Sequence, residues 1–157
     1  MGRAEAVEAV DEERAWDRCK ERLREEAVGR GGTAYLHEWA VNLAPRLRGE
    51  HVHVTRSDDG YAKVETGFVT STLASFLDLD DPHSVLSVVR AVMDGRAAEY
   101  ADVSADGRWL GVHFRIDLVG GNGIGNARPD TPTAYSFERQ LERWGGIRFV
   151  EEGSAAE

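Results

Sequence analysis

The chain has 157 residues and contains one cysteine, two lysines and four prolines, and none of its apolar runs exceeds a few residues. Each scarcity excludes something. A single Cys19 rules out an internal disulfide and any thiolate cluster for zinc within one chain. Without a stretch of roughly 20 apolar residues no helix can span a bilayer. The opening Met1-Gly2-Arg3-Ala4-Glu5 has no apolar export core, so no secretory signal is expected, and Ala6 stands where a myristoylation signal wants Ser or Thr. Positive charge is also short: 19 basic against 28 acidic side chains give a net −9, the wrong sign for a duplex nucleic-acid binder that must displace counterions. The expectation is a cytoplasmic protein that engages neither membrane nor nucleic acid and carries no cofactor.

What is present fits one α+β domain spanning 1–157, with 1–8 and 152–157 frayed at the ends. A chain of this length can bury about two-thirds of the surface exposed when unfolded. The arginine bias, 17 Arg against Lys20 and Lys63, suggests a GC-rich coding sequence and carries no chemistry. Negative charge gathers in residues 3–28, at −3, and in residues 50–81, at −5. Such a surface keeps a protein soluble and steers basic partners toward it.

Local patterns set out ten elements in the order α-α-β-β-α-α-β-β-α-β. Residues 4–28 read as a charged helix with a narrow stripe of Ala9, Trp16, Cys19, Leu23 and Ala27, stopped by Gly29, Gly31 and Gly32. Leu36, Trp39 or Ala40, Leu43 and Leu47 keep helical spacing, so a second helix capped by Thr33 is expected to complete an N-terminal helical hairpin, ended by Pro45. His51 to Arg56 and Tyr61 to Phe68 alternate around Asp58-Asp59-Gly60, a β-hairpin whose register sets Val54 opposite Val64 and His53 opposite Glu65. Thr70 or Ser71 caps a short helix carrying Leu73, Phe76 and Leu77. Asp81-Pro82 starts a helix to Asp94 that is apolar over more than half its circumference and is therefore central.

A second hairpin joins 98–104 to 108–118. In the latter, Leu110, Val112, Phe114, Ile116 and Leu118 point to the core, and Trp109, Gly111, His113, Arg115 and Asp117 point away. Two loop lengths remain open, one placing Tyr100 and the other Glu99 opposite His113. A Gly-rich crossing, 119–130, leads to a helix from Thr131 and Pro132 through Ala134, Phe137, Leu141 and Trp144. Residues 147–150 form a short last strand. Hairpins imply an antiparallel sheet covered by helices.

Three constellations carry candidate chemistry. His51 and His53, one strand repeat apart, with Glu65 across the hairpin, supply the donor set of a zinc or non-haem iron site. Against this, a wet strand face produces the same pattern. Trp109, His113, Arg115 and Asp117 form a ligand or partner face that offers a base, an anion clamp and an aromatic platform; exposed aromatics beside arginine also mark protein interfaces. The loop with Gly121, Asn122, Gly123 and Gly125 departs from both phosphate-loop patterns, since Asn126 replaces the third glycine and no lysine is near; it reads as a connection or gating loop. Cys19, among apolar neighbours, reads as a small buried hydrophobe.

The reading these features favour is a non-enzymatic, acidic protein-binding module of the inhibitor, immunity or chaperone-like kind. Its partner would be another protein, a basic one being favoured by the net charge of −9, and it would itself form a homodimer through the first helix or the Trp109 face. The alternatives are a small metal-dependent or His-based hydrolase, and a small-ligand binder gated by residues 119–131.

Overall fold

The computed structural model describes residues 2–121, 123–125 and 135–145. Helix α1 (Gly2–Gly29) lays Trp16, Cys19, Leu23 and Ala27 into the core, as the stripe predicts. Trp16 satisfies its indole N–H on the Glu38 carbonyl at 2.8 Å, and its ring meets Phe76 edge-on with centroids 5.3 Å apart. Burial pushes the Cys19 thiol up to about 12, so it is a packing group rather than a nucleophile.

After α1 the chain forms a five-stranded antiparallel meander: β1 (Thr33–Leu36), β2 (Ala40–Ala44), β3 (Val52–Arg56), β4 (Tyr61–Thr66) and β5 (Thr70–Ser75). The expected second helix is therefore a hairpin, and no helical hairpin exists at this end. A period of two overrides the apparent period of 3.6. Val41 and Leu43 are buried, whereas Leu36, Trp39 and Leu47, which carried the helical spacing, are exposed. The expected short helix at 70–77 is likewise strand β5. Its Ala74 and the following Phe76 are buried, and Leu73 and Leu77 are exposed. The β3–β4 register is as read, with Val54 opposite Val64 and His53 opposite Glu65.

Helix α2 (Val85–Met93) starts after the Asp81-Pro82 turn, not within it. Ser84 is the cap, its hydroxyl accepting from the Ser87 amide at 3.2 Å. Every residue of α2 except Ser87 and Arg90 is buried. It packs against α1, against β4 and β5 of the meander, and against the second sheet through the strand over 109–117, which bears Ile116.

That second sheet contains β6 (Ala97–Val103), β7 (Trp109–Asp117), β8 (Gly123–Gly125) and β9 (Tyr135–Gln140), in the spatial order β8-β7-β6-β9 with every pair antiparallel. Among the described residues the architecture is thus α+β with two helices and two sheets, where one sheet was expected. The segment expected to be the last helix is β9 over 135–140. Phe137, Leu141 and Trp144 suggested a helical face, yet Phe137 is exposed and only Leu141 and Trp144, beyond the strand, reach the core. Trp144 is fixed there by its indole N–H on the Glu50 carbonyl at 2.7 Å and its amide on the Met93 carbonyl at 2.8 Å. The expected cap at Thr131 and Pro132, the strand at 147–150 and the tail lie outside the described residues.

One carboxylate ties the two sheets together. Glu99 on β6 accepts from the amides of Phe68, Val69 and Thr70 at 3.0, 2.6 and 2.9 Å and from the Thr70 hydroxyl at 2.9 Å. These donors form the β4–β5 turn. Gly67 is required in that turn: its φ is +59°, and a Cβ would stand 2.7 Å from the Glu99 carboxylate. Burial alone would raise the Glu99 pKa, but the four donors outweigh it and hold the carboxyl below its ordinary value. The contribution of Glu99 to stability is therefore full above the unfolded-chain value of about 4.3 and is lost as pH falls through the lower folded value. Glu99→Gln, which turns a donor toward donors, should cost about 3 kcal/mol at pH 7 in urea unfolding. It should also flatten the fall in stability between neutral and acid pH. Equal urea midpoints for the two proteins at pH 7 would contradict this role.

Candidate functional site

The two faces of the second sheet follow from its register. Across β9, β6 and β7 the rows are Arg139–Glu99–Phe114 and Phe137–Ala101–Val112 on the face toward the core, followed there by Val103–Trp109 on β6 and β7. The opposite face carries Gln140–Ala98–Arg115, Glu138–Tyr100–His113 and Ser136–Asp102–Gly111. The pairing of Tyr100 with His113 selects one of the two hairpin registers that the sequence leaves open.

A β-bulge changes the expected partner face. Between Asp102 and Val103 the register slips by one residue on β7, so Val103 stands opposite Trp109 rather than Leu110. Because alternation has period two, this slip moves Trp109 to the face of Ala101 and Phe114. Trp109, His113, Arg115 and Asp117, read as one face from strict alternation, are thus divided: Trp109 on one side, the other three on the other.

On the core-facing side the apolar rows outrun the core. Ile116 and Phe114 are buried, but Trp109 is 63% exposed, Phe137 63% and Phe68, at the tip of the β4–β5 turn, 85%. Val112 is partly exposed between them. Arg139 lies over the Phe68 ring at 4.4 Å from its centroid and bonds Glu50 at 2.7 Å. Aromatic side chains thus gather at one end of the sheet around an engaged arginine.

The outer face holds a buried acid–imidazole pair. Asp102 is 1% and His113 4% exposed. His113 Nδ1 lies 2.7 Å from Asp102 Oδ2, and the Ser136 hydroxyl donates to Asp102 Oδ1 at 2.8 Å. A carboxylate only accepts, so Nδ1 carries the proton and donates it; in the neutral imidazole Nε2 then keeps its lone pair. Tyr100 stacks on the imidazole, with centroids 4.5 Å apart and planes 9° from parallel. Nε2 is buried and makes no hydrogen bond among the described residues. The His113 side of the pair borders a cavity of about 290 Å³ lined by Tyr100, His113, Phe114, Arg115 and residues 123–125 of β8. Arg115 bonds Asp117 at 2.7 Å, both exposed.

The other candidates are placed as follows. His51 and His53 are exposed on the first sheet, and Glu65, opposite His53, pairs with Lys63 at 3.4 Å. Among the described residues no three His, Cys, Asp or Glu side chains converge to hold a metal. The glycine loop divides. Gly121 is exposed in a turn, Asn122 lies outside the described residues, and Gly123 and Gly125 belong to β8, opposite Asp117 and Arg115. Gly125 must lack a side chain because a Cβ would sit 2.5 Å from the Phe114 carbonyl oxygen. Sequence reasoning missed Asp102, Ser136 and Phe68. Asp102 shares a strand face with Tyr100, which the correct hairpin register would have exposed; Ser136 was hidden by the helical reading of 135–140.

At pH 8 a long-range proton–nitrogen spectrum should show His113 protonated at Nδ1 and bare at Nε2. In Asp102→Asn, the amide can donate to Nδ1 and the tautomer should reverse. A wild-type imidazole protonated at Nε2 would contradict the pairing. Comparison of the chain with family models, curated proteins and solved structures finds no match, so the chemistry of these two faces carries the functional reading.

Proposed function

We propose that the chain is a non-enzymatic protein-binding module whose partner docks on the aromatic end of the second sheet, over Phe68, Trp109, Val112 and Phe137. The observation that carries this reading is the exposure of Trp109 and Phe137 on a face whose deeper rows hold Phe114 and Ile116, together with that of Phe68 at the tip of the β4–β5 turn. Large exposed apolar side chains grouped at one place cost solubility, and aromatic anchors of this kind dominate binding energy in protein interfaces. Three aromatics and a valine can bury on the order of 600 Å², against roughly 800 Å² per partner in a stable complex. A polar rim supplies the remainder, and Arg108 and Arg139 stand near it in the chain. The net charge of −9 favours a partner of basic net charge, steered by the field of the whole protein.

The test is affinity capture from native extract at low salt, run in parallel with wild type, Trp109→Ala and Phe137→Glu. Wild type should retain a stoichiometric basic protein that elutes as salt rises. Each variant should retain at least about tenfold less, the ~1.4 kcal/mol expected for loss of an anchor, with an unchanged melting temperature. Equal retention by the variants, or no partner on wild type, would overturn the proposal. A wild-type homodimer in sedimentation that the same substitutions dissociate would make the occupant a second copy of the chain.

A further inference from the structure

The outer face of the second sheet has no part in that docking surface, and it holds a group that a structural role leaves unexplained. A buried imidazole nitrogen without a donor forfeits a hydrogen bond that water would have supplied, a cost of about 1–3 kcal/mol. Asp102 and Ser136 fix the other end of the ring, and Tyr100 covers one of its planes. Nε2 is therefore the remaining hydrogen-bonding atom of a side chain that forms part of a cavity wall. At about 290 Å³ the cavity has the volume of on the order of ten waters, the size of a small metabolite.

Two further wall features define the ligand. Arg115 lies two residues along the same strand face, about 7 Å from His113, and presents a guanidinium suited to carboxylates. Across from it β8 contributes Gly123 and Gly125, so bare backbone borders the space. Gly123 is glycine without need: a Cβ there would meet nothing closer than 3.8 Å, and its φ is not left-handed. We propose that this cavity binds a small carboxylic acid bearing a hydroxyl one or two carbons away. A small shift of β8 uncovers Nε2, which has no accessible surface in the closed arrangement; the ligand hydroxyl then donates to it and the carboxylate meets Arg115, which exchanges part of its exposed contact with Asp117 for the ligand. Exposed ion pairs are worth little, so that exchange is cheap.

The experiment uses the whole protein with lactate as probe, and propionate and methyl lactate as controls that lack the hydroxyl and the charge. Lactate in the millimolar range should move the His113 Nε2 nitrogen resonance saturably, with each control binding at least tenfold more weakly. Gly123→Leu, which fills the cavity and leaves the Asp102–His113 pair in place, should abolish the response without lowering the melting temperature. In His113→Gln, where that resonance is gone, calorimetric titration should detect no lactate binding although wild type binds, and Trp109→Ala, on the other face, should leave the resonance response intact. No shift with lactate at tens of millimolar, equal affinity for propionate, or a response that survives in Gly123→Leu would each overturn the proposal.

Discussion

A nine-residue helix with seven buried side chains spread around its circumference cannot rest on one sheet. Its apolar surface wraps too far for a single contact plane, so a second layer has to close over it. Helix α2 is that helix, and the rest of the architecture answers to it. Strands β4 and β5 of the meander pack against it, with α1 alongside, and the β6–β9 sheet reaches it through β7. Hydrophobic burial supplies the drive for this arrangement but little geometry, since apolar contact is non-directional. Direction comes from Glu99, whose four donors all belong to one turn of the opposite sheet. The carboxylate fixes where the second sheet lies along the first, and so how far its apolar rows extend past the core.

That offset creates the two candidate surfaces. Where the sheets overlap, Ile116 and Phe114 are core; past the β4–β5 turn the same face carries Phe137 and Trp109 into solvent. The turn itself contributes Phe68, held above Arg139, so the residue that ends the covered region also begins the exposed one. On the other face burial without apolarity marks the contrast: Asp102 and His113 are as inaccessible as core residues, yet their side chains bond each other and Ser136, with the Tyr100 ring stacked on the imidazole.

The sequence was legible where one pattern had no competitor. The α1 stripe, the β3–β4 register and the central α2 follow from periodicity and turn chemistry and are observed. Of the inward set Leu110, Val112, Phe114, Ile116 and Leu118 the last three are buried, whereas Val112 is exposed and Leu110 only half-buried at the bulge. It misled where apolar residues satisfied two periods at once. Residues 33–47 contain both a 3.6-residue series through Leu36, Trp39, Leu43 and Leu47 and a two-residue series through Val41 and Leu43. Pairing with β3 decided for the second, and the same competition misplaced 70–77 and 135–140. Strand identity there depends on a neighbouring edge needing a partner, which is a tertiary fact. The candidate site was half legible for the same reason. His113 and Arg115 stood out on β7 alone, whereas Asp102 and Ser136 join them only through the register of two further strands.

The slip between Asp102 and Val103 reaches further than its single residue. It sorts the chemistry of one ribbon into two addresses, with indole assigned to one side and imidazole to the other, and a regular register, with Leu110 opposite Val103, would merge them again. Substitutions on either side can therefore accumulate without trespassing on the other. An aromatic surface can be retuned for a new companion while the acid–imidazole pair a few ångströms behind it stays as it is.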